Sequence, residues 1–400
     1  MSLDVNAKRS LTPAIWCPTR LSATARDYGD VVDGPCTASM CQDEVVETDH
    51  LREPSMVEIT TIGVDIAKTV FQVHGIDASG QVAVRRQLRR AEVVKFFAGV
   101  PPCLVGMEAC GTSHYWARQI GALGHEVRLL PPAHVKPYVK RGKKNDAADA
   151  AAVCEAVTRP HMQFVPVKTA ESQAVLMLHR TRDLLVRQRT MLICALRGHL
   201  AEFGVVAGQG KGNFAKLVAC LDTREGRQLP EVARTALRLI AAQIDAADEK
   251  IEALEKEIVA RHRGDAAGRR LASIPGIGPI IASVITAAVP DPSVFKSGRQ
   301  FAAWLGLVPR QNSTGGKQRL GGITKAGDRS IRRLLVIGAT GLIRYKRKNV
   351  PGGLDWVTGL LARKPVRLVT VALANKMARI AWVILCRGEI YRETGTVPAA

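Results

Sequence analysis

The sequence predicts an α/β domain followed by an all-α region, and three observations support this prediction. Short β-branched runs separated by turn residues fill residues 58–130. Two long segments with apolar residues at heptad spacing follow, at 170–200 and 237–258. From about residue 269 the chain is Gly-rich and basic, and then strongly helical to about residue 391. We therefore expect domains at 58–165, 166–265 and 266–395.

The first 57 residues differ in composition from the rest of the chain. They mix Pro, Gly, Asp, Ser and Thr without periodicity, which is typical of disorder. They hold nine acidic and five basic residues, a net charge of −4 that leaves +25 for residues 58–400. We expect residues 1–57 to be a disordered or dispensable extension. The positive charge of the remainder indicates a polyanionic partner, nucleic acid first, with a merely basic protein as the alternative.

The cysteine and hydropathy patterns argue against several classes of protein. The nine cysteines are scattered without a CxxC pair, so we expect no zinc site, and free thiols fit a reducing cytoplasm. No apolar run reaches the roughly 18 residues of a membrane span, and the N-terminus lacks the apolar core of a signal peptide. We expect a cytoplasmic protein with no membrane partner.

The elements predicted for the first domain follow one another in a fixed order. EITTIGVDI, TVFQVHGI and QVAVRRQL are three strands, the last two joined by a hairpin turn at 77–80. A helix at 91–100, the short buried strand CLVGME and a helix that ends at Gly124 come next. EVRLL is a further strand, and NDAADAAAVCEAV at 145–157 is a further helix. The predicted order is therefore β-β-β-α-β-α-β-α.

The middle segment carries a heptad pattern on two stretches. The first places leucine at 178, 185 and 192. The second has an apolar seam at alternating spacings of three and four, made of Leu237, Ile240, Ile244, Ala247, Ile251, Leu254 and Ile258. This is the pattern of a coiled coil, and the stretch between the two, at about 204–230, is predicted to be a loop. The pattern fits a helical hairpin or dimerisation arm, or equally a helical pair within one chain.

Four carboxylates stand where predicted strands and helices end. Asp65 lies within the first strand, Glu108 closes the short buried strand, and Asp146 and Asp149 share one face of the helix at 145–157. A charged Asp in an apolar strand is costly to bury unless it is paired or binds a cation. Four converging carboxylates can bind two Mg²⁺ ions about 3.5–4 Å apart. The structural alternatives are a helix cap or a first-turn position favoured by the helix dipole for Asp146, a solvated face for Asp149 and a strand-end turn for Asp65.

The third region combines a Gly-rich turn with a basic loop. SIPGIGPIIASVITAAV at 273–289 is similar to a helix-hairpin-helix, in which Gly276 and Gly278 let backbone N–H groups approach a phosphate. Residues 309–333 hold seven Lys or Arg, one acid and the hydroxyl pair Ser313–Thr314. These hydroxyls either position a phosphate backbone or provide a nucleophile beside cations. The other candidate nucleic-acid contacts are Lys143, Lys144, Arg310, Lys317, Arg319, Lys325, Arg332 and Arg333.

Three stretches resemble the motifs of a known family. GVDIAKTVFQVHG, MEACGTSHYWAR and KKNDAADA closely resemble the motifs of the DEDD transposases of bacterial insertion sequences, and the resemblance covers roughly residues 58–391. It implies a ribonuclease-H-like (RuvC-like) mixed sheet domain with Mg²⁺ or Mn²⁺ as cofactor. The catalytic, metal-binding residues that it implies are Asp65, Glu108, Asp146 and Asp149.

The resemblance also implies a C-terminal transposase domain, at about 271–345, with a nucleophilic serine just before a glycine. Here the residue before Gly315 is Thr314, and the serine stands one place earlier. We therefore expect Ser313 to be the nucleophile, with Thr314 as the alternative.

The activity implied by the resemblance is that of an insertion-sequence transposase or recombinase. Its serine attacks a DNA phosphodiester and forms a covalent link before strand exchange and religation. The implied partners are donor and target DNA, a structured noncoding guide RNA, and further copies of the chain in a dimer or tetramer. The implied location is the bacterial cytoplasm, at the nucleoid. Two alternatives stay open: a metal-dependent junction-resolving nuclease without a covalent intermediate, and a catalytically inactive nucleic-acid-binding protein.

Overall fold

A computed structural model describes residues 58–139, 145–208, 210–349 and 355–392. The predicted extension at 1–57 lies outside the described residues, and so do Lys143 and Lys144. The described chain contains a mixed α/β sheet, a pair of long helices and a helical C-terminal region.

The sheet has five strands in the order β3-β2-β1-β4-β5. The strands are β1 (Ile59–Ile66), β2 (Val70–Asp77), β3 (Val82–Arg89), β4 (Leu104–Glu108) and β5 (Glu126–Leu130). β1, β2 and β3 are antiparallel neighbours, whereas β1, β4 and β5 run parallel. The helices are α1 (Val93–Ala98), α2 (Ser113–Gly121), α3 (Pro132–Val135) and α4 (Asp146–Val157). The predicted order is confirmed, apart from the added short α3 and the earlier end of α2.

Different helices cover the two faces of the sheet. On one face, Val64, Phe71 and Met107 pack in a core with Phe97 of α1 and Trp116 of α2. On the other face, α4 lies across β1, β2 and β4. Because successive side chains of a strand point to opposite faces, Asp65 and Glu108 lie on the α4 face.

Two glycines let α4 approach the sheet closely. Gly63 and Gly106 are neighbours across the β1–β4 pair. A Cβ atom at Gly63 would lie 2.2 Å from the carbonyl oxygen of Ala150 and 2.3 Å from the backbone nitrogen of Cys154. A Cβ atom at Gly106 would lie 2.8 Å from that of Val157. The close approach therefore sets the position of α4 relative to β1.

Gly63→Ala is expected to lower the free energy of unfolding by about 1–3 kcal/mol or more, the range typical of an overpacked core. The added methyl group meets backbone atoms of α4, which have no side-chain freedom with which to give way. Thermal denaturation measures the change. Gly121→Ala is the matched control, since a Cβ atom there meets open space at the end of α2. Equal stability of the two variants would contradict the close approach.

Two long helices form the middle of the chain. They are α5 (Ala170–Glu202) and, after α6 (Lys211–Cys220) and α7 (Arg224–Arg227), α8 (Glu231–Gly264). α5 and α8 pack against each other within the chain. Arg182 and Glu255 form an ion pair at 2.5 Å between them. The predicted seam of α8 faces inward, since Leu237, Ile244, Ala247, Ile251 and Ile258 are all buried.

The prediction of a loop at 204–230 is wrong. α6 and α7 occupy most of it, and its leucines join those of the long helices in a buried cluster. The cluster comprises Leu196, Leu200, Leu217, Leu221, Leu229 and Leu237. The glycines and lysines of this stretch interrupt its apolar pattern, so the short apolar face that packs on the helical pair was not predicted.

The C-terminal region is helical around one small hairpin. Its elements are α9 (Ala266–Leu271), α10 (Pro279–Ala288), α11 (Gly298–Trp304), β6 (Pro309–Gln311), β7 (Leu320–Ile323), α12 (Arg329–Asn349), α13 (Asp355–Leu361) and α14 (Val366–Arg387). Ile285, Phe301, Leu335 and Ala378 belong to its apolar core, which also includes Leu176 of α5. The base of α5 is thus part of the C-terminal core.

α14 corrects the expectation that no apolar segment reaches the length of a membrane span. It has 22 residues and a mean hydropathy of 1.6 over its apolar window, which makes it the one candidate span among the described residues. Val369, Ala374, Ala378 and Ala381 nevertheless lie buried in the C-terminal core. Core helices share the length and composition of membrane spans, so this evidence is weak.

Candidate active site

The four predicted carboxylates meet where β1 and β4 end. Asp65 and Glu108 are adjacent, one residue beyond the Val64–Met107 pair of the parallel register. Asp146 and Asp149 lie in the first turn of α4. Their charges act on Asp65, and the charges of Asp65 and Asp149 act on Glu108. The structure therefore brings all four side chains into one neighbourhood.

The cap of α4 is Asn145, not Asp146. The side-chain oxygen of Asn145 accepts a hydrogen bond from the backbone N–H of Ala148 at 2.7 Å. Asp146 is the first residue of the helix and is exposed, whereas Asp149 is half-buried. Asp146 therefore does not cap the helix but lies in its first turn, which is the other form of the structural alternative, and its carboxylate stays available for other contacts.

Burial and mutual repulsion disfavour the charged forms of two of these carboxylates. Burial raises the pKa of Asp65, and the charges of Asp149 and Asp146 raise it further. Burial likewise raises the pKa of Glu108, with added repulsion from Asp65 and Asp149. Within the described part of the chain, no Lys or Arg forms an ion pair with any of the four. A cation placed among them would relieve this repulsion.

Ser313 and Thr314 lie on an exposed β-hairpin, where the sequence predicted a flexible or tightly turned loop. Thr314 and Lys317 exchange backbone hydrogen bonds of 3.3 and 3.0 Å around two central residues. These are Gly315 and Gly316, with φ values of 54° and 76°. Two positive φ angles are typical of a type I′ hairpin turn. The glycines therefore give the turn its tight geometry.

The two candidate hydroxyl residues occupy different places on the hairpin. The Oγ atom of Ser313 accepts a hydrogen bond from the backbone N–H of Arg319 across the hairpin at 3.1 Å. Thr314 is the corner residue of the turn, and both side chains are exposed. Among the described residues, no hydrogen bond or ion pair joins this hairpin to the four carboxylates.

The predicted nucleic-acid contacts fall into distinct environments. Arg332 is a correction, because it is only 9% exposed and donates hydrogen bonds to the carbonyl oxygens of Leu305 and Ala326. Arg333 forms an ion pair with Asp183 of α5. The exposed cations on and beside the hairpin are Arg310, Lys317, Arg319 and Lys325.

The two glycines of the turn before α10 also differ. Gly276 has a φ of 85° and packs against α12, where a Cβ atom at Gly338 would lie 2.1 Å from its carbonyl oxygen. The positive φ angle, together with packing that would put a Cβ atom at Gly276 3.0 Å from the Cε atom of Met377, is therefore a sufficient reason for glycine at position 276. Gly278 is exposed and precedes the first residue of α10.

A groove of about 1740 Å³, which was not predicted from the sequence, adjoins the hairpin. Pro309 and Ile323 line it from the base of the hairpin, and the exposed cations Arg299, Lys376 and Arg379 line it from α11 and α14. These residues come from separate segments, so only the fold assembles them. The only indication of this groove in the sequence is the set of basic residues that interrupt the apolar pattern of α14.

Comparison with known proteins supports the same two regions. Residues 62–204 match the family model of DEDD transposases of the IS110 type, and residues 268–351 match "Transposase IS116/IS110/IS902 family". A "Probable family 20 transposase" of Pseudomonas aeruginosa is 50% identical over 84% of this chain and 99% of its own length. The chain is an IS116/IS110/IS902-family transposase. The transposase for insertion sequence element IS1328 of Yersinia enterocolitica is 40% identical, over 84% of this chain and 99% of its own. That for IS1111A of Coxiella burnetii is 40% identical, over 85% and 93%.

Membership of this family makes the chain a DNA transposase, and a DEDD domain implies use of a divalent metal ion. The carboxylates of this transposase fit such an ion, since carboxylate oxygens are the ligands that hard divalent cations prefer. The described side chains include no group of three or more His, Cys, Asp or Glu already arranged to hold an ion.

Proposed function

We propose that this transposase cleaves, exchanges and rejoins DNA strands through two groups of residues. The carboxylates Asp65, Glu108, Asp146 and Asp149 would hold Mg²⁺, or Mn²⁺ in its place, and Ser313 would form a transient covalent link to DNA. The convergence of four carboxylates without a basic partner among the described residues supports the first group. The sheet order and the position of α4 agree with a ribonuclease-H-like, RuvC-like domain at 58–165.

In the proposed reaction the Oγ atom of Ser313 attacks the phosphorus of a DNA phosphodiester. The hydroxyl proton passes to solvent, the bond from phosphorus to a deoxyribose oxygen breaks, and that oxygen is protonated as it leaves. In the resulting phosphoserine diester the bond from phosphorus to Oγ replaces the broken bond. A hydroxyl of a second strand can therefore attack this phosphorus, losing its proton to solvent, and release Ser313, whose oxygen takes up a proton. Arg310, Lys317 and Arg319 would stabilise the developing charge on the phosphate. The divalent ion, when bound, supplies Lewis-acid stabilisation of the phosphate oxygens.

The carboxylates of one copy of the chain and the hairpin of a second copy would together form a composite site. Within one chain, the described residues show no polar contact between the hairpin and the carboxylates, which agrees with a hairpin supplied by a second copy. The α5–α8 pair, at 166–265, would then be a coiled-coil arm that joins copies in a dimer or tetramer. Met177, Leu184, Met191 and Leu239 are exposed on it and support this role.

The proposed nucleic-acid partners are donor and target DNA and a structured noncoding guide RNA from the same element. The charge of +25 on residues 58–400 supports two polyanionic partners at once. The helix-hairpin-helix-like turn at Gly278 and the exposed cations of the hairpin would contact phosphates in the 266–395 domain. Lys143 and Lys144, outside the described residues, would do so beside the carboxylates. The proposed location is the bacterial cytoplasm, at the nucleoid.

Removal of the metal tests this function. Purified transposase is incubated with DNA from the ends of its element and the neighbouring noncoding RNA, with Mg²⁺ or with EDTA. We expect protein-linked DNA on a denaturing gel with Mg²⁺ and none with EDTA. Free DNA ends without linked protein would favour the junction-resolving nuclease, and binding without any cleavage would favour an inactive binding protein.

A further inference from the structure

A row of polar side chains crosses the α4 face of the sheet from the carboxylates to the free edge. Asp65 is the register partner of Gln72 on β2, and Gln72 is in turn the partner of Gln87 on β3. Glu108 extends the same row on the other side of Asp65. Register partners share a face, so these four side chains lie side by side, one per strand.

Two arginines flank this row on the edge strand. Arg85 is the partner of His74, and Arg89 is the partner of Val70, so both lie on the α4 face, one on each side of Gln87. Burial and the nearby charge of Arg85 lower the pKa of His74, which agrees with this placement. Gln87, Arg85 and Arg89 are exposed, and no acidic side chain in the described part of the chain forms an ion pair with either arginine.

We propose that Gln72, Arg85, Gln87 and Arg89 form a track that holds the sugar-phosphate backbone of the DNA strand entering the carboxylate site. Strands lie about 4.8 Å apart, so the arginines stand on the order of 10 Å from Asp65, a few nucleotides along a strand. The arginines would pair with phosphates, and the two glutamines would donate hydrogen bonds between them and the carboxylates. The inference rests on the proposed function of those carboxylates.

The positions of Arg85 and Arg89 favour a role in DNA binding over a role in preventing other strands from pairing with the sheet edge. Charged residues on an edge strand also prevent pairing with other strands, and that role needs no particular face. Arg86 carries the same charge on the same strand but is the partner of Val73, on the opposite face. Two of the three arginines of β3 instead share the face of the carboxylates and continue their row.

The salt dependence of DNA binding tests the track. The double variant R85Q/R89Q is compared with R86Q, which removes a charge from the other face of β3, and with R85K/R89K, which keeps both charges. The probe is single-stranded and duplex DNA from the element ends. The slope of log K against log salt is negative, and each lost phosphate contact reduces its magnitude by about 0.7–0.9. We expect R85Q/R89Q to reduce the magnitude of the slope by about 1.4–1.8, and R86Q and R85K/R89K to leave it near the wild-type value.

A second measurement does not depend on affinity. A photo-crosslinking residue at position 87 is expected to label the DNA strand within a few nucleotides of the cleaved phosphate, and one at position 86 is not. A wild-type slope in R85Q/R89Q, equal losses in R86Q, or loss of binding to the element's noncoding RNA alone would each overturn the track. Asp65→Asn, assayed for cleavage in parallel, reports on the proposed function separately. If it cleaves normally, the proposed function fails whatever the slopes show.

Discussion

Asp65→Asn is expected to reduce DNA strand cleavage by at least about 10²–10³-fold, the loss typical when one group that stabilises transition-state charge is removed. An amide is isosteric with the carboxylate but carries no charge with which to hold a divalent ion. DNA binding is expected to persist, because Asp65 belongs to an acidic group that contributes repulsion, not attraction, to a polyanion. Cleavage and gel-shift assays on the same preparation measure the two effects.

The same variant is expected to alter the dependence of stability on pH in metal-free protein. Burial and the charges of Asp149 and Asp146 hold the pKa of Asp65 above its ordinary value of 3.8. The folded state then binds a proton more readily than the unfolded state, so stability falls as pH rises from about 3.8 through the raised pKa. Asp65→Asn removes this contribution and makes the decline shallower. Urea denaturation at a series of pH values, in the presence of a chelator, measures it.

Asp77→Asn is the matched control for Asp65→Asn, since it removes a carboxylate from the same sheet. Asp77 is at the end of β2, and its Oδ1 atom accepts hydrogen bonds from Ser79 and Gln81. Those bonds lower its pKa, so its contribution to stability is lost as pH falls, the opposite direction from Asp65. We expect Asp77→Asn to cleave DNA normally. Normal cleavage by Asp65→Asn would instead refute the role of Asp65.

Ser313→Ala is expected to abolish the covalent protein–DNA link altogether. The variant removes the only atom through which Ser313 can be joined to a phosphate. The variant loses the hydrogen bond that the backbone N–H of Arg319 donates to the Ser313 Oγ atom. The hairpin is nevertheless expected to remain folded, because the Gly315–Gly316 turn and the Thr314–Lys317 backbone bonds do not involve the serine hydroxyl. Denaturing gels of reactions with labelled DNA measure the linked product, and mass spectrometry of the wild-type adduct identifies the modified residue.

Thr314→Ala provides the control on the neighbouring hydroxyl. Thr314 is the corner of the turn, and its described hydrogen bonds run through the backbone, so its side chain can be removed with little effect on the turn. We expect the linked product to form in this variant. A linked product in Ser313→Ala that is missing in Thr314→Ala would move the nucleophile to Thr314.

The sheet and its carboxylates were predictable because burial leaves a pattern in the sequence. β1 and β2 are apolar on the face that packs against α1 and α2, and Asp65 is a charged residue on the opposite face of β1, within an otherwise apolar run. The strands of the hairpin left no such pattern, because β6 is fully exposed and β7 is nearly so. A strand without a buried face has no reason to alternate apolar and polar residues.

Residue identity alone could not distinguish the environments of the arginines. Arg332 is buried, and its guanidinium donates hydrogen bonds to the carbonyl groups of Leu305, which lies in a separate segment, and of the nearby Ala326. The faces of Arg85 and Arg86 follow from the register of β3 with β2, which shifts near Gly75. Both facts depend on contacts between segments, and a single sequence carries no direct record of them.

The α5–α8 pair contacts α10 of the C-terminal region through both of its helices. Its base is anchored by Leu176 in the C-terminal core and by the 3.1 Å hydrogen bond between His179 and Ser283 of α10. The 33 residues of α5 span about 50 Å. The leucine cluster that includes Leu217 of α6 packs at the C-terminal end of α5 and the N-terminal end of α8. The length of this arm is therefore independent of the spacing between carboxylates and serine. If the pair joins copies as proposed, heptads added or deleted in step on both helices would change the distance between copies, while the local structure of the carboxylates and of the hairpin within each chain would stay the same.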